Sequence, residues 1–572
     1  MTFHSKVNKD MARLDGKRFS MDKLLTLLSF AILIVVVVIP MLMIVYNTFF
    51  VDGRFDLTLF TEIILDSANI GAMLNTIKIA LLVTVLGVVV GLFFAWLLGR
   101  SDIPLKGLMR SMFTIPYMFP PFFGAMAWEL LLSPRSGYLN NWLMTTFNLS
   151  SAPFNINSIG GIVFVELSYY FPFVFMQVVS ALERMDPTLE ESARIAGARQ
   201  WYVIRRITMP LVLPATSAGA LLILTSSLSH FGVPAILGFS KKIYTLPTRI
   251  YQLISRASGS FQGIREGAAL SILLVIVVML ALWLQRLVLK SGSYDIIKGK
   301  SMRPMLIKLR GAKYPLLILA FASLVIIVVV PLVMIILVGF LRAYGLPLTL
   351  ANFTLDNYRN LFNAKMVSDS VMNSLYLAFG AGIIAMFLGV MIAYVINKIK
   401  PRGKVALEII SILPYSIPGI VLAIGVILAW SGNLGVNIYN TIWIILVAYI
   451  ARYVAFSMKS ASASLQQVHY SLEEAARSCG ATHFESLRDV TLPLIRPAMI
   501  SGFFLIFLPA MRELTTSVLL YGPYTRTLGV AIYSLRSDGY IVDASALATM
   551  TILLIIIVNA IVNAIVKDRK KV

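Results

Sequence analysis

Along the whole chain, stretches in which nearly every position is apolar alternate with shorter polar segments. The apolar stretches fall at roughly 24–48, 72–98, 107–132, 159–182, 211–237, 268–289, 315–341, 370–396, 406–430, 439–458, 495–520 and 546–566. Each is close to the 20 or so residues that an α-helix needs to cross a bilayer. The pattern predicts an all-α polytopic membrane protein with about twelve transmembrane helices. The first stretch is expected to remain as an anchor. Its apolar part, Leu24 to Val45, exceeds an ordinary signal core, and no small-residue cleavage site follows it.

Composition narrows the class further. Of 572 residues, 58% are hydrophobic and only 13% charged, which excludes both a multi-domain soluble chain and a disordered one. The formal charge of +22 would suggest nucleic acid on a soluble chain. Here it reads as topology, with the lipid bilayer as partner and no nucleic acid, because Lys and Arg collect in cytoplasmic loops. Segment 1–23 carries Lys6, Lys9, Arg13, Lys17, Arg18 and Lys23, so the N-terminus is expected inside. Alternation then places 286–313 inside, with Arg286, Lys290, Lys298, Lys300, Arg303, Lys308, Arg310 and Lys313, and also the tail with Lys567, Arg569, Lys570 and Lys571. The segment 238–267, expected outside, is an exception, since it holds Lys241, Lys242, Arg249, Arg256 and Arg265. The single cysteine, Cys479, excludes an intramolecular disulfide.

The chain repeats itself. Asn75-Thr76 and Asn373-Ser374 are 298 positions apart, as are Ile115-Pro116-Tyr117 with Pro120 and Leu413-Pro414-Tyr415 with Pro418. Further on, Thr188-Leu189-Glu190-Glu191 and Ser471-Leu472-Glu473-Glu474 are 283 apart, so the first copy holds fifteen extra residues, most simply in 133–158. Six spans per copy make the halves parallel, related by an axis along the membrane normal. The expected organisation is a basic segment 1–23, a first half 24–290, a linker 291–313 and a second half 314–572.

Two polar loops, 183–210 and 459–493, repeat most closely. In each, thirteen positions separate a glycine from a proline: Gly197 from Pro210, and Gly480 from Pro493. Thr188 with Glu191, and Ser471 with Glu474, have the spacing of capping boxes. The glycines permit the left-handed residue that ends a helix. A short helix at a sharp angle to its neighbour is therefore expected once per half.

These loops resemble the EAA loop of ABC-importer permeases: Glu-Ala-Ala, three residues, Gly, nine residues, Ile, one residue, Leu-Pro. Glu474-Ala475-Ala476 and Gly480 match it to the letter, with Val490 for Ile; the first copy departs at Ser192 and Met209. His230-Phe231-Gly232-Val233-Pro234 and Arg512-Glu513-Leu514-Thr515-Thr516 extend the resemblance to fused ferric-iron-type permeases, a group that also includes phosphonate, thiamine and polyamine permeases. The resemblance implies the type I ABC importer permease fold in a bacterial cytoplasmic (inner) membrane, with both termini cytoplasmic. It implies a subunit without catalysis of its own. The short helices would be coupling helices docking on two copies of an ATPase subunit, which binds ATP and Mg. Glu190, Glu191, Ala193, Gly197, Ala198, Glu473, Glu474, Ala475, Ala476, Gly480 and Ala481 would form the docking sites. A periplasmic substrate-binding protein would sit at the outer face. The solute implied is ferric iron or a small anionic one, phosphorylated or phosphonate; polyamine and thiamine stay open.

The residues themselves agree that ATP hydrolysis lies elsewhere. Lys298-Gly299-Lys300-Ser301 lacks the earlier glycine of a phosphate loop, since position 294 is Tyr294. Ionisable groups inside spans usually face a cavity or a partner. At the offset of 283, Ser229 and His230 correspond to Arg512 and Glu513, which makes the four candidates for the pathway. The alternative is that Arg512 and Glu513 neutralise local partners and that His230 belongs to the core. Asn75 and Asn373 either join that pathway or hydrogen-bond between helices. Glu129 and Glu166 lie nearer span ends. Ferric ions prefer hard oxygen ligands, and no repeated carboxylate or tyrosinate cage appears in the spans, so no metal-binding set is assigned. A secondary transporter of six plus six spans has the same helix count, but leaves the paired loops unexplained.

Overall fold

The computed structural model describes residues 21–256, 261–290 and 306–568. The basic segment before Met21 and most of the linker, including Lys298 to Ser301, lie outside the described residues. Ten helices among those described are long and apolar enough to span a bilayer: Met21–Phe49, Ser67–Arg100, Ile159–Arg184, Gln200–Leu228, Phe261–Leu284, Arg310–Gly339, Lys365–Ile399, Ile442–Leu465, His483–Met511 and Ile541–Ile561. The only described strands are Phe50–Val51 and Arg54–Phe55, a small hairpin.

Two of the twelve expected spans are broken. Stretch 107–132 folds as Lys106–Met118 and Pro121–Leu132, and stretch 406–430 as Lys404–Ser416 and Gly419–Trp430, the latter pair bent by 111°. The cause is the same in both copies. Phe119 and Ile417 each precede a proline, which disfavours helical backbone there, and their ψ angles are 148° and 140°. The stretches 211–237 and 495–520 also shed their ends. Their long helices stop at Leu228 and Met511, and fully buried short helices follow at Gly232–Gly238 and Ser517–Leu520. Hydropathy averaged over a span does not register these breaks, because the apolar runs on either side outweigh the few residues at each break.

Proline also explains the irregular turns inside the helices. Five π turns occur among the described residues: Ile34–Val38, Ile204–Thr208, Val325–Val329, Val395–Ile399 and Leu487–Thr491. Each ends two residues before a proline, at Pro40, Pro210, Pro331, Pro401 and Pro493. A proline lacks the N–H for the carbonyl four residues back, and its ring crowds that carbonyl; widening the preceding turn relieves the conflict.

The repeat is visible in the packing. Glycines let backbones approach closely where three long helices meet. A Cβ on Gly91 would lie 2.8 Å from Val174 Cβ, and one on Gly219 2.6 Å from Val174 Cα. In the second copy a Cβ on Gly389 would lie 2.7 Å from the Met458 nitrogen, and one on Gly502 3.3 Å from Ser457 Cα. Val174 and Ser457 are equivalent positions of the repeat.

Contacts group the chain into two compact units that do not divide at the linker. Among the described residues, one unit comprises 21–47 and Asp369–Val530. Within it the first span lies on Lys404–Ser416 and Ile442–Leu465; a Cβ on Gly425 would meet the Pro40 carbonyl oxygen at 2.7 Å. The other unit comprises the described residues from Thr48 to Ser368 and 531–568. There Arg310–Gly339 packs on Pro121–Leu132 and on the last helix, so that a Cβ on Gly339 would meet Ala546 Cα at 3.0 Å.

Candidate functional site

The repeated loops fold as expected in outline and differ at their caps. The first holds a helix at Thr188–Ile195, the second one at Tyr470–Ser478. Neither Thr188 nor Ser471 caps its helix, and Glu191 and Glu474 complete no capping box. Asp186 takes the first role: its Oδ1 accepts the Thr188 N–H at 2.9 Å and the Thr188 hydroxyl at 2.8 Å. Those bonds hold the Asp186 carboxyl below the usual carboxylate range, the backbone donor contributing most. In the second loop His469 Nδ1 accepts the Ser471 N–H at 3.3 Å. The capping box that does form lies one helix later, between Thr482 and Glu485.

The glycines end both helices. Gly197 and Gly480 have φ of 84° and 95°. Ala198 donates its N–H to the Ala193 carbonyl and Gly197 to that of Arg194; Ala481 and Gly480 do the same to Ala476 and Arg477. This pair of bonds is the Schellman closure, which needs a left-handed residue where these glycines stand.

Each loop helix presents apolar surface beside its polar residues. Ile195 and Trp201 are 88% and 71% exposed, and Tyr470, Leu472 and Phe484 are exposed in the second loop. Glu474, Ala475, Gly197 and Gly480 are exposed, while Glu191, Ala193, Ala198, Ala476 and Ala481 are half-buried. Glu190 and Glu473, grouped by sequence with the docking face, are buried instead. Adjacent helical residues point about 100° apart, so in each Glu-Glu pair one faces out and its neighbour faces the protein. Sequence reading missed the residues that receive them: Arg100 and Thr208 in the first copy, Lys398, Tyr394 and Thr491 in the second. The signal was available, since Thr208 and Thr491 share the offset of 283, and Arg100 and Lys398 that of 298.

The pathway candidates lie at equivalent helix breaks. Ser229 and His230 follow Leu228; Arg512 and Glu513 follow Met511. In one unit, His230 Nδ1 lies 2.8 Å from the Tyr170 hydroxyl, and the Ser227 hydroxyl donates to Glu166. In the other unit, the Glu513 carboxylate accepts the Thr516 N–H at 2.8 Å, the Ser517 N–H at 3.0 Å and the Thr516 hydroxyl at 2.9 Å, capping Ser517–Leu520. Both Glu513 oxygens are engaged by backbone donors, so a glutamine there would set its NH₂ against an N–H. Asn75 and Asn373 serve neighbouring segments: Asn75 donates to the Tyr244 carbonyl at 3.0 Å, Asn373 to that of Tyr524 at 2.9 Å. Beside them Thr76 Oγ1 accepts the Leu246 N–H and Ser374 Oγ the Leu528 N–H, each at 2.7 Å. Glu129 is paired with Arg536, whose Nε lies 3.1 Å from Oε2.

The family described as the binding-protein-dependent transport system inner membrane component matches residues 87–291 and 385–571, once in each copy of the repeat. The chain belongs to this family. It is a fused two-half permease of the ABC importers. The ferric transport system permease protein FbpB of Actinobacillus pleuropneumoniae is 27% identical over 502 residues, covering 87% of this chain and 71% of the relative. The Fe(3+)-transport system permease protein FbpB 2 of Haemophilus influenzae is 26% identical, covering 84% and 87%. The 2-aminoethylphosphonate transport system permease protein PhnV of Salmonella typhi is 33% identical over 203 residues, covering 35% of this chain and 76% of that protein. A crystal structure of a bacterial ABC transporter that imports alginate shares 19% identity and a TM-score of 0.38, over 45% of this chain and 94% of that one.

Proposed function

We propose that this permease carries ferric iron inward across the bacterial cytoplasmic membrane, driven by two copies of a separate ATPase subunit that dock at Thr188–Ile195 and Tyr470–Ser478. The observation that carries the docking assignment is the recurrence of one geometry in both loops: a short helix, a Schellman closure at Gly197 or Gly480, and exposed apolar side chains beside it. Two equivalent sites fit two identical partners. ATP and Mg are held by those partners, whose closure shifts the permease between inward- and outward-facing states. A substrate-binding protein delivers the solute from the other side of the membrane, as the family's description implies.

Ferric iron is favoured over a phosphonate by coverage. The two ferric permeases align along both copies of the repeat, 84 and 87% of the chain, whereas PhnV aligns with one copy, 35% of the chain and 76% of its own length. His230, Ser229, Arg512, Glu513, Asn75 and Asn373 remain the residues proposed to border the route, with Glu513 acting by shaping the break it caps.

The experiment is co-expression with the neighbouring genes and purification through a tag on this chain. An ATPase should co-purify at two copies per permease, and vesicles should take up labelled ferric iron with ATP but not without it. Recovery of the permease alone, or uptake insensitive to ATP, would overturn the docking assignment. Uptake of 2-aminoethylphosphonate in place of iron would overturn the substrate.

Orientation has its own check. Cys479 is exposed in the second docking loop, so in spheroplasts it should resist a membrane-impermeant maleimide and react only after lysis. In a Cys479→Ala background, a cysteine replacing the exposed Thr145 should react without lysis. The reverse pattern would invert the topology.

A further inference from the structure

Each docking helix is pinned to the end of a long span by a buried charge pair, and the pinning recurs in both copies. In the first, Arg100 ends the helix Ser67–Arg100, and its Nε lies 3.4 Å from Glu190 Oε2; the side chains are 2% and 5% exposed. Glu190 Oε1 accepts the Thr208 hydroxyl at 2.6 Å. In the second, Lys398 near the end of Lys365–Ile399 lies 3.8 Å from Glu473 Oε1, both side chains 7% exposed. Glu473 accepts the Thr491 hydroxyl at 2.7 Å and the Tyr394 hydroxyl at 3.2 Å. Lys398 also donates to the Val468 carbonyl at 2.9 Å, just ahead of the helix.

Three features separate this from an incidental ion pair. Both threonines close the π turns Ile204–Thr208 and Leu487–Thr491, so the same widened turn delivers the hydroxyl in each copy. The cation changes from arginine to lysine while its charge and place are kept. The span ends are also tied onward to the start of another span. Asp102 accepts the Leu309 N–H at 2.9 Å and lies 3.3 Å from Lys313, where Arg310–Gly339 begins. Tyr394 reaches His483 at 3.3 Å, and His483 lies 3.0 Å from Asp22, where Met21–Phe49 begins.

We propose that Glu190 and Glu473, held by Arg100 with Thr208 and by Lys398 with Thr491, are the positioning residues that make each docking helix move as one body with the span it is pinned to. The proposal rests on the docking assignment above. A docking helix that only touched the ATPase would tilt on its glycine and leave the spans behind. A buried charge pair resists that tilt, because separating it strands a charge away from water. The outward glutamates Glu191 and Glu474 meet the partner; the inward ones pass the motion on.

The test measures ATPase co-purification, ATP hydrolysis and solute transported per ATP in reconstituted full complex. The double variant Glu190→Gln and Glu473→Gln should bind the ATPase and hydrolyse ATP, while transport per ATP falls about tenfold or more. Arg100→Met should lose coupling similarly, and Arg100→Lys, which copies the second half, should recover most of it. Thr208→Val with Thr491→Val keeps every charge and should lower transport per ATP several-fold; it carries the test if the glutamine variants do not fold. Undiminished transport per ATP in either double variant would overturn the proposal. So would loss of ATPase binding in the glutamine variant, which would make these glutamates part of the docking face. If the unaltered chain bound no ATPase, the docking assignment would be what fails.

Discussion

Replacing Gly197 and Gly480 together by valine is expected to leave the permease inserted and to cut ATP-driven uptake by about tenfold or more. Both residues have positive φ, and a Cβ at either would meet nothing within 4 Å. The penalty is therefore conformational, not steric. An ordinary side chain in the left-handed region costs roughly 1–2 kcal/mol, more for a β-branched one. Each penalty shifts its own closure toward the open form by a factor of about 5 to 30, at about 1.4 kcal/mol per tenfold. The chain relieves the strain by abandoning the closure that joins Ala198 to Ala193 and Ala481 to Ala476, which re-aims both short helices. Asparagine, which tolerates the left-handed region, should retain most activity at the same sites. The comparison is read from iron uptake and stimulated hydrolysis in vesicles at matched permease content. Full coupling in the double valine variant would refute the role of these turns.

Leucine at Gly389 is expected to abolish the folded protein rather than its coupling. Even a Cβ there would come within 2.7 Å of the Met458 nitrogen, a backbone atom that cannot rotate away. The helices Lys365–Ile399 and Ile442–Leu465 would have to separate. Overpacking a well-filled core costs about 1–3 kcal/mol, and a backbone clash lies at the upper end or beyond. Leucine at Gly71, a helical position with nothing within 4 Å, is the control and should be neutral. Size-exclusion of detergent extracts distinguishes them: a monodisperse peak for Gly71→Leu, aggregate or little protein for Gly389→Leu. A monodisperse, active Gly389→Leu permease would show that the close packing is dispensable.

Much of this molecule was legible before its structure, for identifiable reasons. A span announces itself because lipid demands about 20 apolar residues. The paired loops announced themselves because the left-handed turns at Gly197 and Gly480 are served best by glycine, at a fixed distance from the next proline. The breaks at Phe119 and Ile417 are harder to see, although Pro120 and Pro418 belong to the repeat. Hydropathy sums over them, and the rule restricting the residue before proline is local. The caps were misassigned because Thr188 and Ser471 fit the spacing of a capping box, but Asp186 and His469 stand close enough to compete and win. Glu190 and Glu513 show the remaining limit. Sequence marks a charged residue as costly, but only three dimensions show that one is met by Arg100 and the other by the backbone of Thr516 and Ser517.

The attachment of Met21–Phe49 to helices near the far end of the chain has a consequence for biosynthesis. This span leaves the ribosome before the helices it packs on, and the earliest of these begins at Lys365, some 316 residues after it ends. At about 5–20 residues per second, that gap lasts roughly 15 to 65 seconds. Throughout that time the helix must persist in the bilayer without its final neighbours. Its sequence suits such a wait: its mean hydropathy of 3.1 is exceeded among the ten long helices only by Arg310–Gly339 at 3.3. A polar substitution on its lipid-facing side should therefore reduce the yield of nascent chains before it disturbs any finished permease.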